Sequence, residues 1–203
     1  VYADNATSAG EMFDQAKVMF EWIPNAHIKF PITEEGLSVA ERAIWDGLRV
    51  NMTLCFAQEQ AAAVYAATRG ASRGDVFVSP FIGRLDDRGE NGMDLIKNIL
   101  TMYEEGDGHV EVLTASVRNL DHFLEALRLG SHVITAPYKV LKDWGDMGVL
   151  MPEEGFLCDP KNLKNIPYLG IDLSKTWQSY DITNELTNNG IERFSADWNS
   201  LIR

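Results

Sequence analysis

Apolar positions along this chain alternate between two rhythms. After Ser8 the period is helical, with Met12, Ala16, Met19, Phe20 and Ile23 on one face until Pro24. Residues 27–32 then alternate, His27, Lys29 and Pro31 against Ile28, Phe30 and Ile32, as a strand does. Thr33 is placed to cap a second helix, with Glu34 and Glu35 in its first turn and Val39, Ala43, Ile44 and Leu48 inside. The exchange repeats. A short strand over 51–56 precedes an alanine-rich helix over 57–69, and a strand over 75–83 precedes a polar loop, RLDDRGENG, and a helix over 93–105. A strand over 109–117 leads to a helix opened by Asn119, and a strand over 131–137 to a helix over 138–144. With residues 1–4 read as a strand end, this makes six strand–helix units.

Short strands alternating with amphipathic helices predict an α/β fold with a parallel sheet and right-handed crossovers. A doubly wound open sheet and a closed barrel are the two ways to build it. No strand is followed by a GxGxxG or Walker sequence. Polar or reactive residues instead recur late in successive strands: Lys29, then Asn51 and Thr53, then Arg84 just past its strand, then Ser116 and Arg118. Side chains converging from several strand ends are what a barrel site requires, whereas a doubly wound sheet gathers them at one switch point. The expected architecture is a (β/α)8 TIM barrel to which residues 1–144 supply six units. Residues 145–182 lose the rhythm and read as an irregular but ordered surface excursion, because Tyr168, Trp177 and Tyr180 are too apolar for a disordered tail. Residues 183–203 read as a C-terminal helix whose stripe of Ile191, Phe194, Trp198 and Leu201 packs either on the barrel or on a neighbouring subunit.

Composition narrows the partners. The 203 residues carry a formal net charge of −12, which argues against nucleic acid and anionic membrane. A phosphorylated metabolite stays open, since a few local arginines overrule a global field. No apolar run approaches the roughly 20 residues of a membrane span. Cys55 and Cys158 show no metal spacing, nor do His27, His109, His122 and His132, so no metal is expected. The expected setting is reduced and cytoplasmic.

Lys29 is the residue with chemical promise. An ammonium in a short apolar strand is costly to bury without a partner. Where water is withheld its pKa falls, and the neutral amine becomes a nucleophile able to form a Schiff base with a carbonyl. The competing reading is a strand-end lysine whose stem lies on apolar surface while its charge reaches solvent. Plain readings exist too for Arg84 as a salt-bridged loop arginine, Ser116 as a strand-end cap and Asn51 as a turn residue.

Four segments in order resemble the transaldolase family, in particular its smaller branch that includes fructose-6-phosphate aldolase: IKFPITEEGL around Lys29, NMTLCF from Asn51, SPFIGRLDD from Ser79 and LTASVRN from Leu113. ITAPYKVL from Ile134 and the terminal LTNNGIERFSADW are similar to it as well. The resemblance implies a class I transaldolase that moves a three-carbon dihydroxyacetone unit from a ketose phosphate to an aldose phosphate, in the pentose phosphate pathway and without a cofactor. Lys29 matches the family's Schiff-base lysine. Asn51 and Thr53 match the polar pair that holds the active-site water and surrounds the lysine. Arg84, Ser116 and Arg118 match the phosphate-binding set, a task suited to arginine forks. Phe81 stands where transaldolases resemble this chain and fructose-6-phosphate aldolases carry a tyrosine; a phenyl ring donates no proton, so transfer is expected over simple cleavage. Cleavage of a ketose phosphate and an inactive barrel are the alternatives. Small members of the family form rings through the C-terminal helix, which implies a homo-oligomer and suits Trp198. The family's barrel also has two strands before the point matched by Val1. They bring an aspartate, an asparagine in a TTNP-type turn and, just before Val1, a catalytic glutamate (glutamine in the aldolases). No segment here resembles them, and the expectation is a chain that is part of a longer protein.

Overall fold

Five parallel strands, β1 (Ile28–Pro31), β2 (Val50–Cys55), β3 (Val76–Pro80), β4 (Val110–Thr114) and β5 (Val133–Ile134), lie side by side in chain order. The computed structural model describes residues 1–153, 155–160 and 162–202; of the segments 145–182 and 183–203, positions 154, 161 and 203 lie outside the described residues. Strand order never reverses, so the sheet has no switch point of the doubly wound kind. The helices are α1 (Ala9–Phe20), α2 (Glu34–Trp45), α3 (Gln58–Ala67), α4 (Ile82–Asp86), α5 (Gly92–Tyr103), α6 (Leu120–Arg128), α7 (Tyr138–Asp146) and α8 (Glu185–Leu201). They pack neighbour to neighbour, α1 on α2, α2 on α3, α3 on α5, α5 on α6 and α6 on α7.

The strand register explains why the two faces of the sheet differ. Ile28, Val50, Val76 and Val110 stand in one row and Phe30, Met52, Val78 and Val112 in the next. All eight are buried beneath the helices. Each contributes about 1.5–3 kcal/mol of transfer free energy, and a one-residue slip of any strand would turn its share outward. The opposite face carries Lys29, Asn51, Phe77 and Glu111 in register, then Pro31, Thr53 and Ser79. Polar groups thus collect on the face that the helix layer leaves open.

The helix starts follow the capping residues. Ser8 and Glu11 form a reciprocal capping box at α1. Thr33 Oγ1 accepts from Gly36 N–H at 3.0 Å, and Asn119 Oδ1 from His122 N–H at 2.8 Å. Gly36 is required by a close approach, since a Cβ there would fall 1.8 Å from the carbonyl oxygen of Pro31. That contact seats α2 directly on the end of the Lys29 strand.

Three elements differ from the sequence reading. Residues 1–4 form no strand, leaving five strands rather than six among the described residues. Tyr2 N–H is taken by Gln15 Oε1 at 2.8 Å, and Val1 alone reaches β1, through a 3.4 Å contact with Lys29 O. The strand expected over 131–137 shrinks to Val133–Ile134, because side chains take the ladder's partners: His132 Nδ1 accepts from Val112 N–H at 3.1 Å, and Ser131 bonds Thr114 Oγ1 at 2.7 Å. The strand expected over 75–83 ends at Pro80, and the five-residue helix α4, too short to leave a periodic trace, takes its last two residues and the start of the polar loop.

Residues 164–182 form a belt over the helix layer. Lys164 hydrogen-bonds Gly89 and Asn91 through its backbone, Ile166 hydrogen-bonds Asn98 and Asp94, and the Leu169 backbone exchanges two hydrogen bonds with the Gln58 amide. Arg69 then holds the carbonyls of Leu173 and Lys175, and Trp177 Nε1 donates to Glu41 at 3.2 Å. The belt therefore runs from α5 across α3 to α2.

Candidate active site

Lys29 sits mid-strand on the open face, in register with Asn51 of β2. Among the described residues it takes part in no ion pair. Its Nζ lies 5.6 Å from the centroid of the Phe81 ring. Desolvation pulls its pKa below the ordinary lysine value. By accessible area Lys29 is exposed, because it looks into an open cavity, yet protein atoms crowd its ammonium. Crowding sets the direction of the shift. The cavity measures about 420 Å³ and is lined by Lys29 and Thr53 together with Met19 of α1, Trp22 just past it, and Phe194 and Trp198 of α8.

Thr53 is one register step beyond Asn51, opposite Pro31. Its Oγ1 is buried and has no hydrogen-bond partner, an arrangement that costs about 1–3 kcal/mol in a finished core. A hydroxyl left open beside the lysine is suited to hold a water or a substrate oxygen. Asn51 Oδ1 accepts from Ser79 Oγ at 2.6 Å, which fixes the amide on the same face.

The phosphate-type residues gather past the ends of β3 and β4. Pairing continues there beyond the strands, with Phe81 bridged to Ala115, Ile82 N–H bonded to Ala115 O and Gly83 N–H to Ser116 O, both at 3.1 Å. Ser116 has a left-handed backbone, φ 60°, that turns the chain at this point. A Cβ on Gly83 would fall 2.4 Å from Ser116 O and 2.3 Å from Arg118 Nε, so only glycine lets α4 come this close to the 116–118 turn. Arg84 Cζ lies 5.5 Å from the Phe81 ring and 5.3 Å from the Phe194 ring. Held by two aromatic rings and, among the described residues, in no ion pair with a carboxylate, its guanidinium keeps N–H donors available. Desolvation lowers its pKa, helped by the charges of Arg193 and Arg118 and opposed by Asp87. Arg118 Nη2 bonds Asp87 Oδ2 at 2.7 Å.

The expected residues thus fall in two groups that share one ring. Lys29, on the open face with Asn51 and Thr53, and Arg84, past the ends of β3 and β4 with Ser116 and Arg118, both approach the Phe81 ring. Because one ring touches both, Lys29 Nζ and Arg84 Cζ are at most about 11 Å apart. Arg84, Ser116 and Arg118 do not line the cavity at Lys29. No group of His, Cys, Asp and Glu able to hold a metal occurs among the described residues, and no helix there is long and apolar enough to cross a membrane.

The sequence reading did not single out Leu54, Thr187 or Ser79, nor Phe194 and Arg193 as neighbours of Arg84. Leu54, at φ 61°, forms a bulge between Thr53 and Cys55. Its carbonyl accepts from Thr187 Oγ1 at 2.9 Å, and Thr187 in turn accepts from Gln60 Nε2 at 2.8 Å. This buried network seats α8 across the end of β2, bringing Phe194 and Trp198 over the site. The segment LTNNGIERFSADW carried the signal for α8; nothing in a leucine announces a left-handed bulge.

A family profile described as Transaldolase/Fructose-6-phosphate aldolase matches residues 1–203. A probable transaldolase of Dehalococcoides mccartyi is 35% identical over 196 residues, 97% of this chain and 71% of the relative. A probable transaldolase of Brucella anthropi is 46% identical over 137 residues, 68% of this chain and 60% of the relative, and one of a Ruegeria species is 43% identical over the same length and shares. The chain therefore spans well short of the full length of these curated relatives.

Proposed function

The chain belongs to the transaldolase/fructose-6-phosphate aldolase family, and from that premise we propose that it is a Schiff-base transaldolase with Lys29 as its nucleophile. The observation that carries this reading is the placement of Lys29 and Arg84 against one phenyl ring, the amine desolvated and the guanidinium in no ion pair among the described residues. The neutral amine of Lys29 adds to the ketose carbonyl and water leaves, giving an iminium. Loss of the proton from the hydroxyl on the fourth carbon breaks the bond to the third. The electron pair moves to the iminium as an enamine, and the aldehyde departs. The three-carbon enamine then adds to the carbonyl carbon of an aldose phosphate, and the new alkoxide takes a proton. Water hydrolyses the resulting iminium, releasing the product ketose phosphate and the free Lys29 amine. Thr53 Oγ1 holds the water through which protons move. Arg84, Ser116 and Arg118 take the phosphate. Phe81 brings no acid of its own, which favours transfer to an acceptor over release of free products.

In the same reading, β1–β5 and their helices are successive units of a (β/α)8 barrel. The unreversed strand order and the helix layer on one face support it. Trp198, Leu201 and Ile202 leave an apolar end on α8 that suits a neighbouring subunit in a homo-oligomer.

Borohydride treatment with fructose 6-phosphate, followed by peptide mapping, tests the chemistry. A stable adduct on the Lys29 peptide, absent in Lys29→Met, is the expected result. No adduct with this or any other ketose phosphate would sink the enzyme reading. Arg84→Ala is expected to raise KM for the phosphorylated ketose by roughly 10- to 100-fold, the scale of a lost hydrogen bond to a charged group. Release of free products without an acceptor would move the assignment to an aldolase.

A further inference from the structure

Helix α4 carries Arg84, yet it is only five residues long and Phe81 gives it no side-chain cap. A helix so short has too few internal hydrogen bonds to hold itself, so its position is set by what ties it down. Its N-terminal end is tied through the backbone, by Ile82 N–H to Ala115 O and Gly83 N–H to Ser116 O. Its C-terminal end is tied through Asp86. That carboxylate accepts from Gly92 N–H on Oδ1 at 3.0 Å, and its Oδ2 lies 3.0 Å from His122 Nε2. His122 is almost fully buried in the first turn of α6, the helix that follows directly on Arg118.

We propose that His122 is a positioning residue. By holding Asp86 it fixes α4, and so sets the Arg84 guanidinium against Ser116 and Arg118 in a geometry that one phosphate can bridge. This rests on the reading of those three residues as an anion site. The other nitrogen of the ring supports the assignment: His122 Nδ1 is buried without a hydrogen-bond partner. A leucine of similar bulk would avoid that loss, so packing alone does not account for an imidazole here. The bond to Asp86 does. It also keeps one of two adjacent carboxylates behind α4, while the other, Asp87, already engages Arg118. A free Asp86 would compete with phosphate for the arginines.

The test is the binding of inorganic phosphate by titration calorimetry to the whole chain and to His122→Leu and His122→Gln, beside borohydride trapping of dihydroxyacetone on Lys29. Leucine removes the donor and keeps the bulk, and glutamine returns an N–H at similar reach. Phosphate affinity should weaken about tenfold or more in H122L and recover to within about threefold in H122Q, while the Lys29 adduct changes by less than about twofold throughout. Equal phosphate affinity in the parent and H122L would overturn the positioning role alone. A parent that forms the adduct but binds no phosphate would overturn the anion site and this proposal with it. Should H122L fail to fold, Asp86→Ala removes the same pair from the other side, and unchanged phosphate binding there refutes the role.

Discussion

At the scale of single residues, two side chains are held in states that stability alone would not choose. Lys29 has its pKa lowered by desolvation, so the folded chain binds that proton less tightly than the unfolded chain. The unfolded state then carries more of it between the depressed value and the ordinary 10.5, and stability gains with rising pH across that window. Lys29→Met removes the penalty: at neutral pH the variant should melt higher than the parent, and the difference should shrink as pH approaches 10.5, as calorimetric scans would show. Thr53 makes the matching case. Thr53→Val is expected to stabilise by about 1 kcal/mol, because a buried unpartnered hydroxyl becomes a methyl of the same shape, while activity falls tenfold or more. Destabilisation in urea unfolding would mean that Oγ1 has a structural partner. Lys29 was legible as a lysine out of place in an apolar alternation. That Thr53 is orphaned, and that Lys29 and Arg84 both approach the Phe81 ring, depends on the spatial meeting of β1, β2 and β3 and has no trace in spacing.

At the scale of elements, α8 is the piece whose attachment decides the site. One buried chain of hydrogen bonds, Gln60 to Thr187 to the Leu54 carbonyl, holds it across β2. Thr187→Val cuts both bonds and leaves an amide donor and a carbonyl unsatisfied, an expected loss of about 2–3 kcal/mol in urea unfolding. Phe194 would then leave Arg84, and KM for a phosphorylated substrate should rise alongside the lost stability. Full activity in that variant would show that α8 does not shape the site. Helix starts were readable because capping is local chemistry: Ser8, Thr33 and Asn119 each bond an N–H within three residues. Elements set by distant partners were not. Helix α4 has no period to show, β5 loses its ladder to the side chains of Ser131 and His132, and the seat of α8 depends on a bulge 133 residues away.

At the scale of the whole molecule, the segment between α7 and α8 divides in two. Residues 147–157 expose Met147, Val149, Leu150, Met151 and Leu157, whereas residues 164–182 are bonded to α5, α3 and α2. Limited proteolysis with chymotrypsin should therefore cut first within 147–157 and leave the belt and α8 bound to the core. Early cuts at Tyr168 or Trp177 would contradict this. The apolar residues in this segment made order foreseeable, but its route was not, for a reason that bears on how such a chain changes. Nearly every hydrogen bond from the helices engages the belt's own main chain: the carbonyls of Lys164, Ile166, Leu169, Leu173 and Lys175, and the amides of Lys164, Ile166 and Leu169. These bonds use features that every amino acid shares, while Ile166, Ile171, Leu173, Trp177 and Ile182 pack inward on the core. The belt's outward side chains can drift, or be rewritten by a protein engineer, without loosening it, so the belt is the part of this molecule where new surface is acquired most freely.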